Sequence, residues 1–254
     1  MRAPVDPEPS LGGQFALRPV ALREAGELLH AALAPYRAAP LRLSGMFLLL
    51  WVPTLALVFL PTFGPFLSET VSAVVFAGYT AALDAAARSE PPDFRHVAVV
   101  LRFGRDRLTL LALTGLLPVV CAVLVLYAVW GVHETAAFLD QLTRGNGRPS
   151  PGMMLDFQAA EYVASMPFTF AAPVWALYRW SGSRCMAANL LASWVNWRWV
   201  LAMTGFMALS DNLLLWLRDQ GEGLSLLSNL GVIAVAMLTL SWTLALAQRS
   251  FPSR

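Results

Sequence analysis

Six apolar runs set what this chain can fold into, because each is long enough to cross a bilayer. They cover residues 43–60, 66–87, 108–131, 159–180, 199–217 and 224–247. A spanning helix needs about 20 largely apolar residues. In lipid every backbone N–H and C=O must be satisfied within the segment, so such runs predict helices rather than strands. Composition agrees, with 57% hydrophobic and 13% charged residues against roughly 25% charged in soluble domains. The fold class expected is all-α: a polytopic membrane protein with six transmembrane helices arranged as three hairpins. Residues 1–19, with Pro4, Pro7 and Pro9 beside Asp6 and Glu8, read as a flexible N-terminal tail without the apolar core of a cleavable signal peptide. Residues 20–250 read as one domain.

Short connections follow the first and fifth runs: Pro61-Thr-Phe-Gly-Pro65 and Arg218-Asp-Gln-Gly-Glu-Gly223. All 18 basic residues are Arg. With both termini inside, 15 fall on the inner side and 3 on the outer. Arginine is retained on the cytoplasmic side of bacterial membranes, so this bias predicts a multi-pass protein of the bacterial inner membrane with both termini cytoplasmic. Trp130 and Trp216 fall at expected outer helix ends, and Trp180, Trp194, Trp197 and Trp199 at inner ones, where interfacial indoles belong.

Three cytoplasmic segments have helical amphipathicity without spanning length. Residues 20–37 place Leu22, Ala25, Leu29, Leu33 and Tyr36 on one face, opposite Arg23, Glu24, Glu27 and His30. Residues 93–105 align Phe94, Val97 and Leu101 against Arg95, Arg102 and Arg105. Residues 184–198 align Met186, Leu190 and Trp194 against Asn189, Ser193 and Asn196. Such helices lie in the headgroup plane. Each precedes an odd-numbered run, and the following joins are alike: Ser44-Gly45, Thr114-Gly115 and Thr204-Gly205. The pattern predicts a unit of one interfacial helix plus one hairpin, used three times.

The stretches LREAGELLHAALAPYRAAP before the first run, SEPPDF at 89–94 and LASWVNWRWVL before the fifth resemble a family of uncharacterised six-pass inner-membrane proteins of proteobacteria. That family is distantly similar to the membrane domain attached to some glycerophosphoryl diester phosphodiesterases. The resemblance spans roughly residues 18–250 and implies a bacterial inner-membrane topology. It implies no activity, because no phosphodiesterase domain accompanies it here.

Catalytic signatures are absent. His133-Glu134 lacks the second His of a zinc helix, and there is no nucleophile elbow or phosphate-binding Gly-Lys loop. His30, His96 and His133 sit in separate non-spanning segments, so no metal or haem site is expected. Cys121 and Cys185 read as free thiols. A net charge of +2 with scattered arginines excludes a nucleic-acid role.

Ionisable groups inside the runs are then the candidates, since a charge in lipid costs roughly 2.5–3.5 kcal/mol unless paired. Asp211 and Asn212 lie two-thirds along the fifth run. Arg218 two turns on is an expected ion-pair partner, and Ser228-Asn229 are expected to face Asp211 across the short turn. Glu69 and Glu161 read as first-turn carboxylates that complement helix N-termini. Asp84 and Arg88 read as an i, i+4 interfacial ion pair. Pro53, Pro118, Pro167 and Pro173 are expected to kink their helices. The function expected is non-catalytic: an accessory, scaffold or assembly component of a membrane complex, with lipids and other membrane subunits as partners and no cofactor. The alternative is a small transporter or lipid-handling protein with a polar cavity near Asp211.

Overall fold

A computed structural model describes residues 17–60, 63–144, 150–218, 220 and 222–251. They are helical, with no strand among the described residues. The elements are α1 (Ala25–Ala38), α2 (Pro40–Leu57), α3 (Gly64–Ala87), α4 (Phe94–Val97), α5 (Arg105–Arg144), α6 (Pro151–Ser165), α7 (Ala171–Leu177), α8 (Gly182–Val195), α9 (Trp197–Arg218) and α10 (Glu222–Ser250). Five of them, α2, α3, α5, α9 and α10, are long and apolar enough to cross a membrane. The chain is a multi-pass membrane protein by that criterion, and its surface agrees: Leu49, Val52, Leu124, Val129, Leu209 and Leu213 are all exposed. Water would not tolerate so continuous an apolar exterior.

The fourth run, expected as one spanning helix over 159–180 kinked at Pro167 and Pro173, has other bounds and is broken outright. Helix formation begins eight residues earlier, at Pro151, whose fixed φ suits a first helical position. It then breaks at a 3-10 turn, Met166–Phe168, before α7 resumes. Pro167 has no N–H to donate into the ladder, which accounts for a break there. Pro173 sits in the first turn of α7, where the missing donor costs nothing. Pro53 and Pro118 remain inside α2 and α5 without a break. The sharp bend in α5 is at Gly131 instead, with φ +82° and ψ 172°, a conformation open to glycine. Beyond it the helix continues to Arg144, into the connection between the third and fourth runs.

The two short-turn pairs are pinned alike. Ser68 Oγ donates to the Thr54 carbonyl at 2.9 Å, tying α3 to α2, and Ser228 Oγ donates to the Leu214 carbonyl at 2.6 Å, tying α10 to α9. Both bonds close over the same 14-residue separation. Of the three small-residue joins, only Gly115 is a close approach: a Cβ there would overlap the Glu69 backbone carbonyl of α3. Gly45 and Gly205 have open space around them.

The three amphipathic segments divide their apolar residues between the surface and the core. Leu22 and Leu29 of the first are exposed while Leu28, Ala32 and Pro35 are buried. In the second, Leu101 is 81% exposed and Val97 and Val100 are buried. In α8, Trp194 is 79% exposed, whereas Asn189, Ser193 and Asn196 are buried. Their polar atoms work inside. Asn189 Nδ2 and Ser193 Oγ donate to the Pro167 carbonyl at 2.9 and 3.1 Å, serving the backbone freed by the break in the fourth run.

Asn196 ties both chain ends to the α8–α9 junction. Its Oδ1 accepts from Val20 N at 2.9 Å and its Nδ2 donates to Ser250 Oγ at 3.1 Å. Trp199 Nε1 donates to the Val20 carbonyl, so Trp199 is buried rather than interfacial. Arg18 N donates to the Ser250 carbonyl. Arg18 falls within the expected tail over 1–19, of which residues 1–16 lie outside the described part. A second clamp is Asp106-Arg107. The Arg107 guanidinium caps the Trp175 and Tyr178 carbonyls at the end of α7, and Asp106 Oδ2 accepts from Gly182 N at the start of α8. These are the signs the helix dipole favours at each end. The expected Asp84–Arg88 pair forms at 3.1 Å, and Gln248 Nε2 of α10 donates to Asp84 Oδ1 at 2.7 Å.

Gly115→Val is expected to lower the thermal midpoint of the detergent-solubilised protein, at a cost of about 1–3 kcal/mol for overpacking. Gly205→Val, in open space, is expected to leave it unchanged; equal effects would contradict the α3–α5 approach. On the surface, Glu24 accepts from the Ala21 N–H, Arg249 and Arg18, and those bonds, the backbone one foremost, hold its carboxyl below the usual range. A lowered folded-state value stabilises above the unfolded value near 4.5 and is lost as pH falls through the folded one. Wild type should lose stability below about pH 4.5 more steeply than Glu24→Gln in acid-titrated thermal scans; parallel curves would contradict it.

Candidate functional site

A hollow walled mainly by apolar atoms lies inside the bundle, with a volume of ≈ 260 Å³. Helix α3 contributes Glu69, Ser72 and Phe76, and α5 contributes Thr114 and Gly115. Helix α6 and the break after it supply Tyr162, Ser165, Phe168 and Thr169. Met203, Thr204 and Met207 come from α9, and Thr239 and Thr243 from α10. The site thus stands where the discontinuous helix faces four continuous ones.

One carboxylate lines this hollow and two more lie close to its wall. Glu69 lines it directly. Tyr162 OH donates to Asp211 Oδ2, joining α6 to α9. Glu161, beside Tyr162, is within electrostatic range of both Glu69 and Asp211. Glu69 lies five residues past Gly64, Glu161 ten past Pro151 and Asp211 seven before Arg218. At 1.5 Å per residue these are about 8, 15 and 10 Å inside their helices. Glu69 and Asp211 therefore lie inside helices of spanning length, α3 and α9, and Glu161 lies in the shorter α6. Among the described residues no cation pairs with Glu69, Glu161 or Asp211.

This corrects two expectations. Neither Glu69 nor Glu161 is a first-turn carboxylate, because Pro65 and Pro151 start their helices earlier and no acid falls in either first turn. The polar group around Asp211 is also differently composed. Asn212 is exposed and donates to the Ala208 carbonyl of its own helix at 2.7 Å. Asn229 is exposed too, and Ser228 bonds Leu214 rather than Asp211. The expected Asp211–Arg218 pair falls on a side chain outside the described ones. The partner the structure gives Asp211 is Tyr162, from a helix the sequence reading did not connect to it.

The histidines stay apart. His30 contacts Arg37 and His96 caps the turn at Asp93, and among the described residues no group of three His, Cys, Asp or Glu side chains is placed to hold a metal. A scan against protein-family models and searches of curated proteins and of solved structures return no match to this chain.

Hydrogen bonds between helices in a bilayer are worth about 0.6 kcal/mol on average and up to about 1.7. A double-mutant cycle of Tyr162→Phe and Asp211→Ala, followed by thermal unfolding in detergent, is expected to give a coupling in that range. Strict additivity would contradict the bond.

Proposed function

We propose that this protein is a small transporter of the bacterial inner membrane, whose cavity between α3, α5, α6–α7, α9 and α10 receives a small solute. Its setting is the one implied by the arginine bias and by the resemblance of the segments around 22–40, 89–94 and 191–201 to six-pass inner-membrane proteins. Both termini face the cytoplasm. The six crossings form three hairpins, the fourth crossing being the broken α6–α7 passage. Its role is binding and passage rather than bond chemistry.

One observation carries the reading. A carboxylate, Glu69, lines a hollow at a helix break, Asp211 is bonded to the lining Tyr162, Glu161 lies within electrostatic range of both acids, and none of the three has a cation partner among the described residues. Ionisable groups inside a bilayer are costly, and they persist where they line a pathway or binding site. Discontinuous helices do the same, since backbone freed by a break is tolerated only where protein or a cavity serves it. A scaffold would need neither feature. The volume of ≈ 260 Å³ suits a small solute rather than a whole lipid, being about nine times the liquid volume of one water.

Access from water separates this reading from a purely structural role. In a Cys121→Ala, Cys185→Ala background, Thr204→Cys is expected to react with a charged methanethiosulfonate in membrane vesicles. Thr204→Cys left unlabelled from both sides, together with stoichiometric retention of other subunits in mild detergent, would establish the accessory role instead.

A further inference from the structure

We infer that the solute bound in this cavity is a small protonated amine, whose ammonium group is held by Glu69 and by hydroxyl oxygens of the surrounding helices. The inference rests on the solute-cavity reading above and adds the chemistry of the ligand.

The argument comes from where the hydroxyl protons go. A hydroxyl has one proton to give and lone pairs to receive. Six lining hydroxyls already spend their proton inside the protein. Thr114 donates to the Leu111 carbonyl at 2.6 Å, Ser165 to Tyr162 at 2.8 Å and Thr169 to Met166 at 2.8 Å. Thr239 donates to Val235 at 2.8 Å, Thr243 to Leu240 at 2.8 Å, and Tyr162 to Asp211. What these six offer the cavity is acceptor capacity. Ser72 and Thr204 keep a proton free among the described bonds, and Glu69 adds carboxyl oxygens. No Arg or His is among the lining residues.

A wall with so many acceptors and so few donors is mismatched to a carboxylate or phosphate, whose oxygens would find almost nothing to accept from. It matches a group with several N–H donors and positive charge. An ammonium has three donors and no acceptor. The remaining wall is apolar: Phe76 and Phe168 offer ring faces that attract cations, and Met203 and Met207 suit a short hydrocarbon chain. A bare metal ion is disfavoured, because among the described residues no set of three ligating side chains converges.

Propylammonium chloride, propanol and sodium propionate form a test set of one size and three charges. The purified full-length protein in detergent should bind propylammonium saturably, by calorimetry or by a concentration-dependent rise in thermal midpoint, and show no such response to propanol or propionate at equal concentration. Glu69→Gln keeps the side-chain shape and should weaken propylammonium by about ten- to hundredfold, the worth of a hydrogen bond to a charged group. Thr114→Val should weaken it less. If Glu69→Gln is not monodisperse, Glu69→Asp serves as the second variant, with weakened but measurable binding. Propionate or propanol binding as well as propylammonium, unchanged affinity in Glu69→Gln, or no saturable propylammonium binding would each overturn the inference. Reactive Thr204→Cys with no propylammonium binding fails the amine alone; unreactive Thr204→Cys fails the cavity reading beneath it.

Discussion

Lipid offers the backbone no hydrogen bonds, and this one constraint orders the rest of the structure. It explains why the chain is helical and why Trp194 and Leu101 stand exposed while Asn189, Ser193 and Asn196 are buried. In a water-soluble protein these residues would point the other way. It also explains why the break at Pro167 has a dedicated partner. The freed carbonyl is met by two side chains of α8, so the polar face of that helix becomes part of the interior.

The same constraint makes the carboxylates informative. Asp84 at the arginine-rich end of α3 is answered by Arg88 and Gln248, and Glu24 by Arg18 and Arg249. Those acids are accounted for as structural groups. Glu69 and Glu161 have no such answer among the described residues, and Asp211 has only a phenol. The contrast within one chain sets the cavity apart from ordinary interfacial electrostatics. It also links α3, α6 and α9, whose relative positions any solute in the hollow would sense.

Much of the fold was legible because hydrophobic run length is a direct record of the solvent. Five runs correspond to helices of spanning length, and the Asp84–Arg88 pair followed from spacing alone. The disruption of the fourth run follows from Pro167 as a missing donor, but the sequence does not distinguish Pro167, at the break, from Pro173, in the first turn of α7, or from Pro53 and Pro118, inside unbroken helices. The site was only half legible. Asp211 stood out as an acid in an apolar run, but Glu69 and Glu161 were discounted because their helix starts were placed too late. Tyr162 carries no sequence signal of its own beyond adjacency to Glu161. The Thr114-Gly115 and Thr204-Gly205 joins were read as marks of a repeat; their threonines line the cavity, and Gly115 lets α3 and α5 meet. Which side chains converge depends on helix rotation, and a one-dimensional pattern fixes that only loosely.

The most direct test is an electron cryomicroscopy map of the full chain in a lipid nanodisc. The account predicts a lipid belt against Leu49, Leu124 and Leu209, with Glu69 lining the hollow beneath it, Glu161 close by, and Asp211 bonded to the lining Tyr162. A map in which these acids face the lipid or separate aqueous surfaces, or in which α6 runs unbroken through Pro167, would contradict it.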